Sequence, residues 1–246
     1  MANKKIIKNI ATGVVQVALL FVTVFVACSI FHNNYYSFIY VDGESMSPTL
    51  NPKAGINEYG IYDNHAIAIN SIKRFDIVVS YYPNPISYGI YDYCYISDAG
   101  GYEMPCDYKD SNHKVVLSKK AELKIKRVIG LPGDQFTLNS DSVRVRRKNK
   151  DGAWGEWKEY VLPYDTKGRT EKINIEPITL EKDEYWLIGD NWSASTDSAY
   201  LNQKIYKGNI QGVVIGIEGT CKVAQSGSKT VITEKQQYKK VKYFKR

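Results

Sequence analysis

The sequence predicts a mainly β protein: an N-terminal transmembrane helix followed by an all-β domain of twisted antiparallel sheets. Three observations carry this. Residues 11–31 form an apolar run interrupted only by Gln16 and a few small or hydroxyl residues. Behind it, short runs of alternating apolar and polar residues recur between turn signals, as half-buried strands do. Few stretches sustain a helical period, and tyrosine and the β-branched residues, which suit a pleated surface, are plentiful, with 20 tyrosines among 246 residues.

A helix over 11–31 rises about 30 Å, enough to cross the hydrocarbon core of a bilayer. Lys4, Lys5 and Lys8 precede it, and positive flanks stay on the cytoplasmic side. The expected organisation is a cytoplasmic tail over 1–10, the span over 11–31, and an extracytoplasmic β domain over 35–246. The domain's own positive charge does not oppose this, because long domains translocate regardless of charge. A cleavable signal peptide is the rival reading. No A-x-A site follows the apolar run, however, and Phe25-Val26-Ala27-Cys28 is a poor lipoprotein box.

Strands are expected over 76–82, 123–129, 135–138, 142–146, 157–162, 185–188 and 212–217. Residues 147–156 read as a polar hairpin tip. Residues 84–120 are rich in Tyr, Gly, Asp, Asn and Ser and read as a loop-rich insertion. The C-terminal Lys239, Lys240, Lys242, Lys245 and Arg246 read as a solvated basic tail, able to meet anionic headgroups where it lies near a bilayer.

The net charge of +7 invites an acidic partner. The chain nevertheless has no zinc-finger spacing, no RNP-like segment and no basic amphipathic helix, so no nucleic-acid partner is expected. None of Cys28, Cys94, Cys106 and Cys221 forms a CxxC pair. Cys94 and Cys106 either pair, if the domain lies outside the cytosol, or remain buried thiols. His32, His65 and His113 stand beside no nucleophile-like or metal-ligand motif. A Ser-His-Asp triad and a zinc site therefore lack support, and no metal or cofactor is expected.

Three segments carry candidate chemistry. Val41-Asp42-Gly43-Glu44-Ser45-Met46-Ser47-Pro48-Thr49-Leu50 places a serine in a turn that can expose its hydroxyl and converge backbone N–H groups. In Lys124-Ile125-Lys126-Arg127-Val128-Ile129-Gly130-Leu131-Pro132-Gly133-Asp134, strand alternation sends Lys126 and Arg127 to opposite faces. An inward Lys126 would lose its preference for the ammonium form and could accept a serine proton. Tyr185-Trp186-Leu187-Ile188-Gly189-Asp190-Asn191 runs from an apolar strand into a polar turn that continues to Ser195, Asp197 and Ser198. Lys73-Arg74-Phe75-Asp76 reads as a structural turn feeding a buried strand.

In this order behind an N-terminal anchor, the segments resemble bacterial type I signal peptidases, in the single-anchor, Gram-positive-like form. Gly43-x-Ser45-Met46-x-Pro48-Thr49-Leu50 resembles the nucleophile box. Lys126 to Asp134 resembles the lysine box and is the most specific of the matches. Gly189-Asp190-Asn191 with Ser195-x-Asp197-Ser198 resembles the last box. The resemblance implies a signal-peptidase/repressor-protease-like catalytic domain with Ser45 as nucleophile and Lys126 as general base. Ser195 would orient Lys126, Asp197 would support the turn that holds it, and the Ser45 N–H would donate to the oxyanion, with Gly43, at the place where some relatives carry a hydroxyl oxyanion donor, and Met46 as supporting residues. The implied partners are preprotein signal peptides and the lipid bilayer.

The sequence departs from the family pattern in places. Trp192 and Ala199 stand where the family usually has arginine, and Phe75 replaces a usual glycine before Asp76. The 84–120 stretch is longer than the family's usual connection. Two alternatives accompany the expectation: a specialised peptidase with a narrow substrate set such as pilins, and a non-catalytic surface-binding module that retains the fold. A self-cleaving repressor-type protease shares the expected fold, but would need a DNA-binding domain where this chain has an apolar run.

Overall fold

The computed structural model describes residues 2–52, 55–82, 93–94, 116–117, 122–164, 174–226 and 229–244. The chain is mainly β, as its alternation predicts. It opens with one helix, α1 (Ala2–Tyr35), whose stretch Thr12–Ser29 has a mean hydropathy of 2.1 and packs no side chain against the domain. A helix can remain in lipid because its backbone groups are satisfied within the segment. α1 passes without a loop into β1 (Tyr36–Tyr40).

The domain continues through β2 (Asn57–Asp63), α2 (Ala66–Asn70), β3 (Ile77–Tyr82), β4 (Tyr93–Cys94), β5 (Val116–Leu117), β6 (Glu122–Gly130), β7 (Asp134–Leu138) and β8 (Ser142–Arg147). It ends through β9 (Lys158–Val161), β10 (Ile175–Thr179), β11 (Glu184–Ile188), α3 (Ser198–Leu201), β12 (Ile205–Tyr206), β13 (Ile210–Ser226) and β14 (Lys229–Tyr243). Among the described residues, the main sheet has eight strands in the order β1-β2-β13-β3-β6-β11-β12, with β14 also paired to β13. A second sheet runs β10-β7-β8-β9, and β4 pairs with β5. All of these pairings are antiparallel.

The two faces of the main sheet bury different clusters, as alternation requires. On one face Val78, Val128, Leu187 and Val213 pack with Ala68, Tyr82 and Ile205. On the other, Ile129, Trp186 and Ile188 meet Phe136, Leu138, Val143 and Val145 of the second sheet. Further along, Ile77, Val79, Val214 and Ile217 pack with Met46 and Leu50 of the loop after β1. The Leu131–Asp134 turn links the sheets. Its Asp134 N–H donates to the Leu131 carbonyl at 3.0 Å. The fully buried Asp134 carboxylate accepts from Leu131 N at 2.7 Å, Arg74 at 2.8 Å and Arg147 at 2.7 Å.

One expectation changes. The C-terminal basic segment is not a solvated tail over its described length: Lys229–Tyr243 is β14, paired along β13. Its lysines disguise a strand whose partner lies immediately upstream, and long side chains on an exposed sheet margin stay hydrated while the backbone pairs. Phe75, which stands where the resemblance implies glycine, takes a φ of +73°. That conformation costs a residue with a Cβ roughly 1–2 kcal/mol. Phe75 packs against the core cluster of the second sheet and edge-on to Tyr160, which offsets the strain. Most of the 84–120 insertion, including Cys106, lies outside the described residues, apart from the short β4–β5 ladder.

Close approach of β2 and β13 leaves no room for a side chain at Gly60, where a Cβ would collide with the Gly216 carbonyl oxygen and sit 2.9 Å from Ile217 Cα. Both obstacles are backbone and cannot swing aside. Gly60→Ala is expected to destabilise the protein by about 1–3 kcal/mol, read as a lowered melting temperature of the detergent-solubilised chain.

Candidate active site

Ser45 lies on the loop between β1 and β2, and backbone bonds define that loop. Ser47 N donates to Glu44 O at 3.0 Å and Leu50 N to Met46 O at 2.8 Å. Met46 and Leu50 anchor it in the core, 1% and 0% exposed. Gly43 lies at its entrance, with its carbonyl accepting from Asn51 Nδ2 at 2.9 Å. The Ser45 carbonyl accepts from Asn191 N at 3.0 Å, which joins the loop to the segment after β11.

Lys126 lies on β6 opposite Val78 of β3, so its side chain enters the apolar face that holds Val78 and Val128. It is 2% exposed. Its Nζ is 2.7 Å from Ser45 Oγ and donates to the Ile125 carbonyl at 3.0 Å. Burial lowers its pKa from 10.5 to about 8, helped by the charge of Lys124, while the carboxylates of Asp197 and Asp190 pull the other way. An ammonium at Nζ donates to Ser45 Oγ. A neutral amine instead accepts the serine proton along the same line.

Ser195 and Asp197 lie in the same buried region, 8% and 2% exposed. Ser195 is not among the hydrogen-bond partners of Lys126. Its hydroxyl donates to Asp197 Oδ2 at 2.5 Å, because that carboxylate is the better acceptor. Asp197 also accepts from Gly189 N at 2.8 Å, Ala199 N at 3.0 Å and Tyr200 N at 3.3 Å, and so caps α3. Burial pushes its carboxyl pKa up, against these hydrogen bonds and the charge of Lys126. Neutral donors therefore surround the carboxylate. Trp192 and Ala199 pack into the apolar core instead of presenting charge to it. Gly189 is required by close approach: a Cβ there would overlap Ser195 Oγ and the Ser45 carbonyl oxygen.

Sequence reasoning gave no role to Arg127, Asp190 and Thr49, which knit the three segments together. Arg127 donates to Asp190 Oδ1 at 2.8 Å and Oδ2 at 2.6 Å, to the Phe75 carbonyl at 2.8 Å and to Thr49 Oγ1 at 3.2 Å. Thr49 donates to Asp190 Oδ2 at 2.5 Å. The pair is buried, with Asp190 0% exposed and Arg127 6%, and its bidentate geometry fixes orientation as well as distance. The available signal was alternation itself, since an inward Lys126 on a two-sided buried strand requires an inward Arg127 with a carboxylate partner. Asn51 and Glu58 left no sequence signal. Asn51 Nδ2 donates to the Val41 carbonyl at 2.8 Å, and Asn51 N donates to Glu58 Oε2 at 2.8 Å. Among the described residues no group of His, Cys, Asp and Glu is placed to hold a metal ion.

A buried amine against a serine hydroxyl can run acyl transfer without histidine or metal. Comparisons with known proteins place the chain in a peptidase family. The family described as "Signal peptidase, peptidase S26" matches residues 13–217. Similar proteins include signal peptidase I P of Bacillus subtilis subsp. natto, 33% identical over 100 residues, or 38% of this chain and 50% of the relative. Signal peptidase I of Bacillus amyloliquefaciens is 27% identical over 158 residues, or 64% of this chain and 62% of the relative. Signal peptidase IB of Staphylococcus aureus (strain COL) is 25% identical over 197 residues, or 78% and 80%. The chain thus spans half the length of the first relative and under two thirds of the second. With the family match running from inside α1 through the loop of Ser45, the strand of Lys126 and most of β13, the chain belongs to the signal peptidase, peptidase S26, family.

Proposed function

We propose that this chain is a membrane-anchored serine endopeptidase that removes signal peptides from exported preproteins, with Ser45 as nucleophile and Lys126 as general base. The observation that carries the reading is the 2.7 Å approach of Lys126 Nζ to Ser45 Oγ in a site where the amine is 2% exposed. With the pKa at about 8, about a tenth of the molecules hold a neutral amine at pH 7, against roughly 3 in 10,000 at the ordinary lysine value.

Neutral Lys126 takes the Ser45 proton as Oγ attacks the scissile carbonyl. The oxyanion of the tetrahedral intermediate is met by the Ser45 N–H, which donates to no other group among the described residues. A donor of this kind is worth a few kcal/mol to the transition state. The Lys126 ammonium then protonates the departing amine as the C–N bond breaks. Water attacks the ester and gives its proton to Lys126; as the second tetrahedral intermediate collapses, the C–Oγ bond breaks, Lys126 returns that proton to Ser45 Oγ, and the new carboxylic acid is released. Asp197 faces the ammonium throughout, and Ser195 holds Asp197 in place.

β11 pairs with β6 as far as Arg127 and then turns away, so the backbone at Lys126 lies at a sheet margin. An extended substrate can add there as a further strand. Ser45 follows the end of α1 by ten residues, a path of about 35 Å at most. That keeps the chemistry near the outer leaflet, with the lysines before the apolar stretch on the cytoplasmic side.

Ser45→Ala and Lys126→Met are each expected to abolish cleavage of a preprotein by the detergent-solubilised chain while leaving its circular dichroism unchanged. Wild-type turnover in either variant overturns the assignment. Cleavage of many unrelated preproteins marks a general enzyme, and cleavage of only a few marks a specialist.

Titration of Lys126 gives a second test. The acid limb of kcat/KM is expected to rise with pH through a midpoint near 8. Between pH 8 and 10.5 the folded chain binds fewer protons at this site than the unfolded one, so stability rises with pH across that window. Below pH 8 the penalty for the buried ammonium is fully present. Lys126→Met removes it and is expected to raise stability at pH 7 by about 1–3 kcal/mol, seen as a higher melting temperature that converges on wild type as pH approaches 10.5. A variant less stable than wild type at pH 7 contradicts this electrostatic account.

A further inference from the structure

The family match ends at residue 217, yet β13 continues to Ser226 and returns as β14. The ladder between them shifts register at two points, between Ile217 and Gly219 and between Lys222 and Val223, and the first is the larger. Ile217 faces Lys242 and Gly219 faces Gln237, so residues 238–241 of β14 stand opposite residue 218 alone. Bulges of this kind recur beside active sites, where they re-aim a side chain. Here Tyr238 leaves the ladder and joins the cluster that contains Met46 and Leu50.

Its hydroxyl donates to Glu58 Oε1 at 2.8 Å. Glu58 is 2% exposed and its other oxygen accepts from Asn51 N at 2.8 Å. Asn51 in turn accepts from Glu58 N at 2.7 Å and spans the nucleophile loop, with Nδ2 on the carbonyls of Val41 and Gly43 at 2.8 and 2.9 Å. Lys242 donates to the Thr49 carbonyl on the same loop. The C-terminal strand therefore grips both ends of the segment that carries Ser45. Burial, with Glu58 adding to it, pushes the Tyr238 pKa to about 12, so the phenol remains a donor at any working pH.

We infer that Tyr238 is a positioning residue for the peptidase reaction: through Glu58 and Asn51 it sets the distance between Ser45 and Lys126. The inference rests on the proposal that Ser45 is the nucleophile. Without the phenol, Glu58 Oε1 is buried with no donor among the described residues, and the carboxylate relaxes its grip on Asn51. The nucleophile loop then samples positions outside the 2.7 Å approach, and small misplacements of reacting groups are costly in rate. Substrate contacts at the β6 margin are untouched.

The test uses the full chain in detergent, with a preprotein substrate and acylation measured in a single turnover per titrated active site. Counting only titratable sites restricts the reading to folded molecules. Tyr238→Phe is expected to lower the acylation rate and kcat at least fivefold, with KM within twofold and the pH midpoint unchanged. Glu58→Gln, which misplaces one donor, is expected to do the same. Adding Tyr238→Phe to Glu58→Gln should change the rate by less than twofold, because both act along one path. A merely structural role would lower the melting temperature while leaving the rate per active site intact. A wild-type acylation rate in Tyr238→Phe, or independent multiplying effects in the double variant, overturns the inference. Activity surviving in Ser45→Ala would instead overturn the underlying assignment, whatever Tyr238→Phe does.

Discussion

Everything in this domain is arranged around one unfavourable act, the burial of a lysine amine in an apolar face. An ammonium taken from water loses hydration that no neutral neighbour replaces. The fold returns only part of it, through the Ile125 carbonyl, the Ser45 hydroxyl and the field of Asp197. The remainder is stored as a lowered proton affinity. A well-packed apolar residue would suit the site better for stability, and the general-base role proposed for Lys126 accounts for a lysine there.

Alternation on β6 then imposes a second requirement. Turning Lys126 into one face turns Arg127 into the other, where it too is buried. A guanidinium cannot escape by losing its proton, so it needs a carboxylate, and Asp190 supplies both oxygens. That pair, with Thr49 on the nucleophile loop and the Phe75 carbonyl at the entry to β3, fixes the loop, the lysine strand and the segment after β11 relative to one another. One strand thus carries two buried basic side chains under opposite constraints: the lysine can shed its charge, and the arginine keeps its charge and fixes geometry.

The parts of this arrangement that lie within single segments were legible in the sequence. The apolar run gave α1, and alternating runs gave β3, β6, β7, β8, β11 and the first half of β13. The order of the motifs picked out Ser45, Lys126, Ser195 and Asp197, which the fold brings into one region. What sequence did not convey depends on partners far apart along the chain. β1 and β2 are short and mixed in pattern, and their pairing emerges only from their place beside β13. β14 is masked by lysines whose strand propensity is low. The Asn51–Glu58 bonds join residues seven apart across a loop, a spacing that signals nothing. The hydroxyl of Ser195 was assigned to the lysine, yet a carboxylate two residues away is the stronger acceptor.

Trp192 and Ala199, at positions where the resemblance implies arginine, bear on the electrostatics around Asp197. Arginines at 192 and 199 would place positive charge beside Asp197 and weaken its field at Lys126. Trp192 and Ala199 remove those cations and extend the apolar core, leaving Asp197 to backbone N–H groups and the Ser195 hydroxyl. Neutral donors hold the carboxylate in position but screen its charge less than a guanidinium does. The field of Asp197 reaches Lys126 and opposes desolvation, and the amine settles at about 8. Positioning of the carboxylate and its electrostatic influence on the amine are separable quantities: the backbone N–H groups of the turn and the Ser195 hydroxyl fix the first, and the charge that Asp197 presents to Lys126 sets the second.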